Sequence, residues 1–193
     1  MADERVIYLM KGTLVGLSAG FIVSLFRLGI EFILETVIEG YHFMQEQPIW
    51  LIPWVIFSVT AALIVGKLVK SEPNIKGSGI PQVEGQVQGL ISLNWWPVLW
   101  KKFIGGLLAI GSGLFLGREG PSIQLGSAVG QGISNLTKGD DVEEKILLSS
   151  GAGAGLAAAF NAPLAGLMFV LEEVHHNFSP LLAIVLSKFS SAR

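Results

Sequence analysis

The chain has 193 residues, of which 51% are hydrophobic and only 15% are charged, and its mean hydropathy is +0.59. Soluble domains usually contain about 25% charged residues, so this composition excludes an ordinary soluble globular domain. The formal net charge of −2 gives no basis for nucleic-acid binding, and the lack of cysteine excludes disulfides and thiolate metal sites.

The first half of the chain contains two predicted membrane spans. The first apolar segment runs from about Thr13 to Ile38, and the second from about Ile49 to Val65, after a polar turn over 40–48. A helix needs about 20 apolar residues to cross the hydrocarbon core of a bilayer, so both segments suit a multi-pass membrane protein. Four charged residues in or just after the first segment are spaced by four and share one helix face, namely Arg27, Glu31, Glu35 and Glu39.

The basic residues sort by side of the membrane. Arg5 and Lys11 precede the first span, and three lysines follow the second span, at positions 67, 70 and 76. The turn between the spans carries only acidic charges. Because cytoplasmic loops are enriched in Lys and Arg, we expect a cytoplasmic N-terminus and an integral protein of the cell (inner) membrane. The acidic residues at 3 and 4 argue against a cleaved signal peptide.

From residue 80 onward the predicted helices are interrupted. Residues 80–94 are too polar and too short to span alone, and an apolar stretch over 103–116 is expected to stop at residue 117 and resume as a helix at Pro121. Asp141 and Glu144 have the spacing of an N-cap and its partner for the next helix. That helix is expected to break at 161–163 and to end near residues 172–176. Broken helices at membrane depth are tolerated where they line a cavity, which indicates an ion or substrate site.

Two of the breaks share one pattern, Gly77-Ser-Gly-Ile-Pro81 and Gly117-Arg-Glu-Gly-Pro121. Glycines expose backbone N–H groups, and proline is tolerated in a first helical turn. Free N–H groups and the positive end of a helix dipole bind anions without a full positive charge. Glu119 lies at the second helix start, where its carboxylate would compete with an anion for the same N–H groups. We therefore interpret Glu119 as a gate, although an Arg-Glu pair at a helix end is more often structural.

These motifs, together with Ala158-Ala-Phe-Asn-Ala-Pro-Leu-Ala-Gly166 and the pair at 172–173, resemble the CLC family of chloride channels and chloride/proton exchangers. The resemblance implies chloride transport, no enzyme activity and no cofactor, with chloride and protons as the transported species. It also implies an all-α membrane fold with broken and re-entrant helices and a homodimer formed through helices near 164–188. It covers only the first half of the family's inverted repeat, so residues 1–193 are expected to be a partial transmembrane domain that needs a second half of the same protein.

The resemblance also implies residue roles. Ser78 would coordinate the central chloride, with the amides of Gly77 and Ser78 nearer the cytoplasm, and the chloride-binding residues would also include Gly79, Ile80 and Pro81. The amides of Arg118, Glu119 and Gly120 would form the outer site. Glu119 would be the gating glutamate, and Glu173 would match the internal glutamate that transfers protons in exchangers. Channels of the family commonly lack an acid there, so we favour proton-coupled antiport over a passive voltage- or pH-gated channel.

Three other motifs suggest enzymes. Gly16-Leu-Ser-Ala-Gly20 matches a nucleophile elbow, but it lies in an apolar helix, where packing of small residues is the favoured interpretation. Residues 153–158 fit a loose dinucleotide fingerprint, but no strand precedes them. Residues 172–176 contain overlapping Glu-x-x-His spacings, which leaves a membrane metalloenzyme as a distant alternative.

Overall fold

The computed structural model describes residues 2–174, and within this range it contains helices and connecting turns but no strand. The α-helices are α1 (Ala2–Glu46), α2 (Leu51–Ser71), α3 (Ile80–Val87), α4 (Trp95–Gly111), α5 (Glu119–Leu136), α6 (Asp141–Phe160) and α7 (Pro163–Phe169). A π-helical turn, Val170–Val174, continues α7, and short 3-10 turns occur at Pro48–Trp50 and Pro73–Ile75. The prediction of an all-α fold with interrupted helices is confirmed.

Two helix boundaries near the second break differ from the prediction. α4 begins at Trp95 and ends at Gly111, rather than covering 103–116. Gly113 adopts a left-handed conformation with φ of +89°, which glycine accommodates easily and which ends the helix before the apolar sequence ends. α5 begins at Glu119 and not at Pro121, because a proline fits within the first helical turn and does not have to start it.

The start of α6 corrects a second prediction. Its N-cap is Asp140, whose side chain accepts a hydrogen bond from the Glu143 N–H at 2.7 Å, so the predicted capping pair of Asp141 and Glu144 is wrong by one residue. Asp140 is the last residue with extended backbone, and Asp141 is already helical. The predicted break after α6 is confirmed, since Asn161 has φ of +53° and α7 starts at Pro163.

α5 is the buried centre of the described region, and it packs tightly against α6. A Cβ added at Gly126 or Gly130 would collide with the backbone of α6, at Gly151 and Leu147 respectively. Gly155 approaches the α5 backbone at Ser122 in the same way. These contacts show that the two helices run antiparallel, and they confirm that glycine in the 151–155 run serves close helix packing.

α1 packs through a stripe of apolar residues at helical spacing. Its fully buried side chains include Val15, Ala19, Val23 and Phe26. Nothing lies within 4 Å of a Cβ added at Gly16 or Gly20. The packing interpretation of the Gly16–Gly20 motif is therefore confirmed at Ala19 but not at the two glycines, and the motif lies in a helix and not at a strand-to-helix turn.

Contacts between α1 and α4 show how the two helices are oriented relative to each other. A Cβ added at Gly106 would meet the Phe26 ring, and one added at Gly111 would meet Ile33. The order of these contacts shows that the two helices run parallel. Near its start, α1 also bonds to α6 through the Lys11 ammonium and the Glu143 carboxylate.

One helical segment of the described chain, Pro48–Ser71, is long and apolar enough to cross a membrane by itself, with a mean hydropathy of 2.2 over its best window. Only 6% of that window is buried. Such an exposed apolar surface matches a hydrocarbon environment, in which apolar side chains need no protein partner.

Candidate functional site

The two glycine-rich breaks meet in the folded chain. Gly120, in the first turn of α5, lies so close to Ser78 that an added Cβ would be 2.7 Å from both the Ser78 Cβ and its carbonyl oxygen. A cavity of about 570 Å³ opens beside this contact. Both breaks line it, through Gly77, Ser78 and Ile80 from the first and Gly117, Glu119, Gly120 and Pro121 from the second. The starts of α3 and α5 therefore face one space.

The first break owes its shape to two glycines in the left-handed region. Gly77 has φ of +73° and Gly79 has φ of +93°, conformations that residues with a Cβ rarely adopt. Gly79 is buried against the side chain of Gln124 on α5. The Gln124 amide in turn donates to the Asn74 carbonyl at 2.8 Å, so α5 holds the loop that precedes α3.

Ser78 is exposed to the cavity, and its hydroxyl oxygen accepts a hydrogen bond from the Ile80 N–H at 3.4 Å. Because the oxygen acts as the acceptor, the hydroxyl proton stays available as a donor. Gly79 and Pro81, which the resemblance assigned to the same site, do not line the cavity. Gly79 shapes the backbone, and Pro81 occupies the first turn of α3.

The second break presents the N-terminus of an 18-residue helix, α5. The Arg118 carbonyl accepts from both the Ser122 N–H at 3.1 Å and the Ser122 hydroxyl at 2.8 Å. The N–H groups before Ser122 precede the first intrahelical bond, so those of Glu119 and Gly120 have no partner within the helix. The Glu119 side chain is half-buried and lines the cavity at this helix end.

Arg118 points to a different partner. Its Nη1 donates to Oε1 of Glu31 on α1 at 3.0 Å, and Arg27 Nε donates to the same oxygen at 3.0 Å. Within residues 2–174 no ion pair joins Arg118 to Glu119. The interpretation of these neighbours as a structural pair is therefore wrong, and the Arg118 side chain does not line the cavity.

Lys102 is a site residue that the sequence analysis missed. It lies in α4 with 4% of its surface exposed, and its ammonium donates to the carbonyls of Ile75 and Gly77, both at 2.8 Å. It thus places a positive charge on the cavity wall and fixes the backbone of the first break. A lysine within an apolar helix is a sequence signal for function, and this signal could have identified it.

Glu173 belongs to the π-helical turn Val170–Val174, where only its backbone is described. Val174 is buried in a cluster that includes Val83 and Val87 of α3 and Leu148 of α6. The same cluster contains Ile123, which lies one turn after Glu119 on α5, and Leu156 of α6. The π-helical turn that carries position 173 therefore packs beside α3 and α6.

No group of three His, Asp or Glu side chains within residues 2–174 is arranged to hold a metal ion. The Glu-x-x-His motif cannot be placed, because its histidines, His175 and His176, lie outside the described residues. The loose dinucleotide motif lies inside α6, and no strand precedes it.

Comparison with known proteins assigns the family. A family profile described as "Voltage gated chloride channel" matches residues 61–192, which is more than half of the chain. The chain belongs to this family. The match includes both glycine-rich breaks, Lys102 and position 173.

Individual relatives agree with this assignment. The chain is 42% identical over 174 residues to a protein of Vibrio parahaemolyticus named H(+)/Cl(-) exchange transporter ClcA, with 88% of this chain and 37% of the relative covered. It is 40% identical over 188 residues to the protein of the same name from Vibrio cholerae, covering 95% and 40% respectively. These relatives are named as transporters, in agreement with the expectation of no enzyme activity.

A solved structure shows the same fold. The crystal structure of a slow cyanobacterial Cl−/H+ antiporter superposes with a TM-score of 0.81 at 37% identity, covering 87% of this chain and 40% of that one. The chain thus spans about two fifths of the length of the relatives that it matches.

Proposed function

We propose that the chain forms the part of a proton-coupled chloride transporter that carries the outer gate. The observation that carries this proposal is the convergence of two helix starts, at Ser78 and Gly120, on one cavity. Names of the relatives at about 40% identity, which describe H+/Cl− exchange, support the choice of ion.

Anion binding in this cavity rests on three kinds of donor. Unpartnered N–H groups at the α5 start and the hydroxyl of Ser78 supply hydrogen bonds, and the Lys102 ammonium supplies a positive field. Because Lys102 is already bonded to two carbonyls, it attracts an anion without binding it as a direct partner. Conduction requires such moderate binding, since an ion that enters must also leave.

Glu119 is proposed as the gate because it shares the cavity with these donors. When ionised, its carboxylate competes with chloride for the amides of the α5 start. When protonated, it loses that attraction and leaves the amides to chloride. Glu119 then responds to both chloride and protons. Coupling of chloride transport to proton transport requires at least one such residue.

Glu173 is proposed as the internal proton-transfer residue. Support comes from its place after the Asn161–Pro163 break, which resembles exchangers of the family. A proton route through Glu173 would reach the gate from the opposite face of the membrane.

A passive chloride channel is the second candidate, because the matching family profile is described as a voltage gated chloride channel. The cavity and its donors would serve a channel equally well. Proton movement against a proton gradient, driven by chloride, separates the two candidates.

We further propose that the transporter is a homodimer in the cell membrane, that its N-terminus is cytoplasmic, and that a second segment of the protein closes the cavity. The basic residues in the first turns of α1 and at the end of α2 support the orientation. The share of the relatives that this chain spans supports the need for a further segment.

The proposal is tested by paired chloride and proton fluxes in liposomes containing the full-length protein that carries these residues. Glu119→Gln mimics permanent protonation, so we expect chloride flux without proton coupling. Glu173→Gln should also abolish proton transport, whereas its chloride flux should keep its dependence on external pH through Glu119. Glu172→Gln is the matched control, because Glu172 is the exposed neighbour of Glu173.

Three results would contradict parts of this account. Proton transport that survives in Glu173→Gln would remove Glu173 from the pathway. If the Glu119→Gln protein transported chloride with unchanged coupling to protons, Glu119 would not be the gate. Absence of coupling in the unmutated protein, with chloride flux present, would establish the channel.

A further inference from the structure

Glu31 on α1 is the shared acceptor of two guanidinium groups. Arg27 approaches its Oε1 from one turn earlier on the same helix, and Arg118 approaches the same oxygen from the start of α5. The second contact spans 87 residues of sequence and joins α1 directly to the segment that carries Glu119. No other hydrogen bond from a described side chain joins α1 to residues 112–120.

The contact lies far from the other charged bond made by α1. At 1.5 Å per residue, Glu31 is about 30 Å along α1 from Lys11, which bonds to Glu143 at the start of α6. This separation is close to the thickness of a hydrocarbon core. Glu31 and Arg118 therefore lie near the membrane face opposite to the Lys11 bond, on the side from which Glu119 would exchange protons with solvent.

Stability alone gives a weak account of this contact. The side chains of Glu31 and Arg118 are 41% and 35% exposed. Ion pairs with such exposure contribute little to folding free energy. The contact has a larger effect on where the Arg118 guanidinium lies. Arg118 directly precedes Glu119, and without Glu31 its side chain would be free to turn towards the cavity.

We propose that Glu31 is a positioning residue for the gate: it holds the Arg118 guanidinium away from the cavity and thereby sets the external pH at which Glu119 opens. This inference rests on the proposed gating role of Glu119. Without Glu31, the Arg118 charge is uncompensated beside Glu119 and favours the ionised, competing form of its carboxylate. Opening then requires more acid.

Other charges that act on Glu119 are held in place differently. Lys76, Lys101 and Lys102 face the cavity from the first break and from α4. Among them, Lys102 is fixed by its two carbonyl bonds and Lys101 Nζ reaches the Ser71 carbonyl at 3.4 Å. From α1, Arg27 reaches the same carboxylate oxygen of Glu31. Arg118 is the charge nearest in sequence to Glu119, and its described side-chain partner is Glu31.

The test measures chloride flux against external pH in liposomes containing the full-length protein. We expect Glu31→Gln to move the midpoint of the profile to lower pH by about half a unit to one unit, a modest shift because the pair is partly exposed. The matched control is Glu35→Gln, which removes the same charge one turn further along the same face, where the residue makes no ion pair within residues 2–174. Its midpoint should stay within about 0.2 unit of the unmutated protein, because exposed charges at longer range are screened.

A second comparison separates positioning from simple charge loss. In the Arg118→Gln background, Glu31→Gln should no longer move the midpoint, because the side chain that it positions is absent. Equal shifts in both backgrounds, or an equal shift for Glu35→Gln, would overturn the inference while leaving the gate intact. If chloride flux through the unmutated protein did not depend on external pH, the proposed gate and this inference would both be overturned.

Discussion

The two helix breaks share a sequence pattern, but the protein holds them in different ways. The first, at 77–81, is fixed from inside by buried groups, since Lys102 bonds to two of its neighbouring carbonyls and Gln124 packs against Gly79. The second, at 117–121, is held at its outer edge by the partly exposed bond between Arg118 and Glu31. Only the second carries a titratable side chain in the cavity.

This difference suggests a division of roles within one cavity. A backbone fixed by buried hydrogen bonds is costly to move, because each buried carbonyl that loses its donor costs free energy. A segment held by an exposed ion pair has a smaller barrier to movement. The first break is therefore suited to a constant binding surface, and the second to a gate that changes with pH.

The largest expected effect comes from filling the contact between the two breaks. Gly120→Ala places a Cβ 2.7 Å from the Ser78 backbone, which cannot yield as the end of a flexible side chain would. We expect chloride affinity, measured by calorimetry on the full-length protein, to fall by more than tenfold and up to about a hundredfold, because overpacking commonly costs about 1–3 kcal/mol.

The matched control for this substitution is Gly89→Ala. Gly89 also has a positive φ, +76°, but it follows α3 outside the cavity, where an added Cβ would meet only the end of the Lys145 side chain. We expect backbone strain of about 1 kcal/mol, seen as a lower unfolding temperature, with chloride affinity retained. If both variants lost affinity equally, contact between the breaks would not be what shapes the site.

A smaller effect is expected from Lys102→Met. The change removes two hydrogen bonds to the Ile75 and Gly77 carbonyls together with the positive charge on the cavity wall. We expect about tenfold weaker chloride binding, since unsatisfied buried acceptors cost about 1–3 kcal/mol. Lys101→Met removes a charge from the same wall but leaves both carbonyl bonds intact, so it should weaken binding by about half as much in free energy. An equal loss for both lysines would assign the effect to charge alone.

Much of the cavity could be predicted from local sequence. Glycine and proline at 77–81 and 117–121 determine backbone conformation directly, so the breaks and their exposed N–H groups follow from residues that are close in sequence. The break at Asn161–Pro163 and the membrane character of the chain follow in the same way. Helix ends were predicted less well, since Gly113 ends α4 before its apolar sequence ends.

The contacts that hold the breaks in place could not be predicted, because they join residues that are distant in sequence. Arg118 reaches Glu31 across 87 residues, and Lys102 reaches Gly77 across 25. Periodicity placed Glu31 on a charged face of α1 but gave no partner for it. Because Arg118 and Glu119 are adjacent in sequence, an ion pair between them was a plausible interpretation. In the fold, α1 packs against α5 and brings Glu31 to Arg118 instead.

The central claim is that both breaks bind one anion. Anomalous diffraction from bromide, soaked into crystals of the full-length protein with Glu119→Gln, tests it most directly. The account predicts bromide in the cavity within hydrogen-bond distance of the Gly120 N–H and the Ser78 hydroxyl, and weaker density there in the unmutated protein at high pH, where Glu119 competes. A cavity without bromide in the Glu119→Gln protein, or bromide bound away from both breaks, would contradict it.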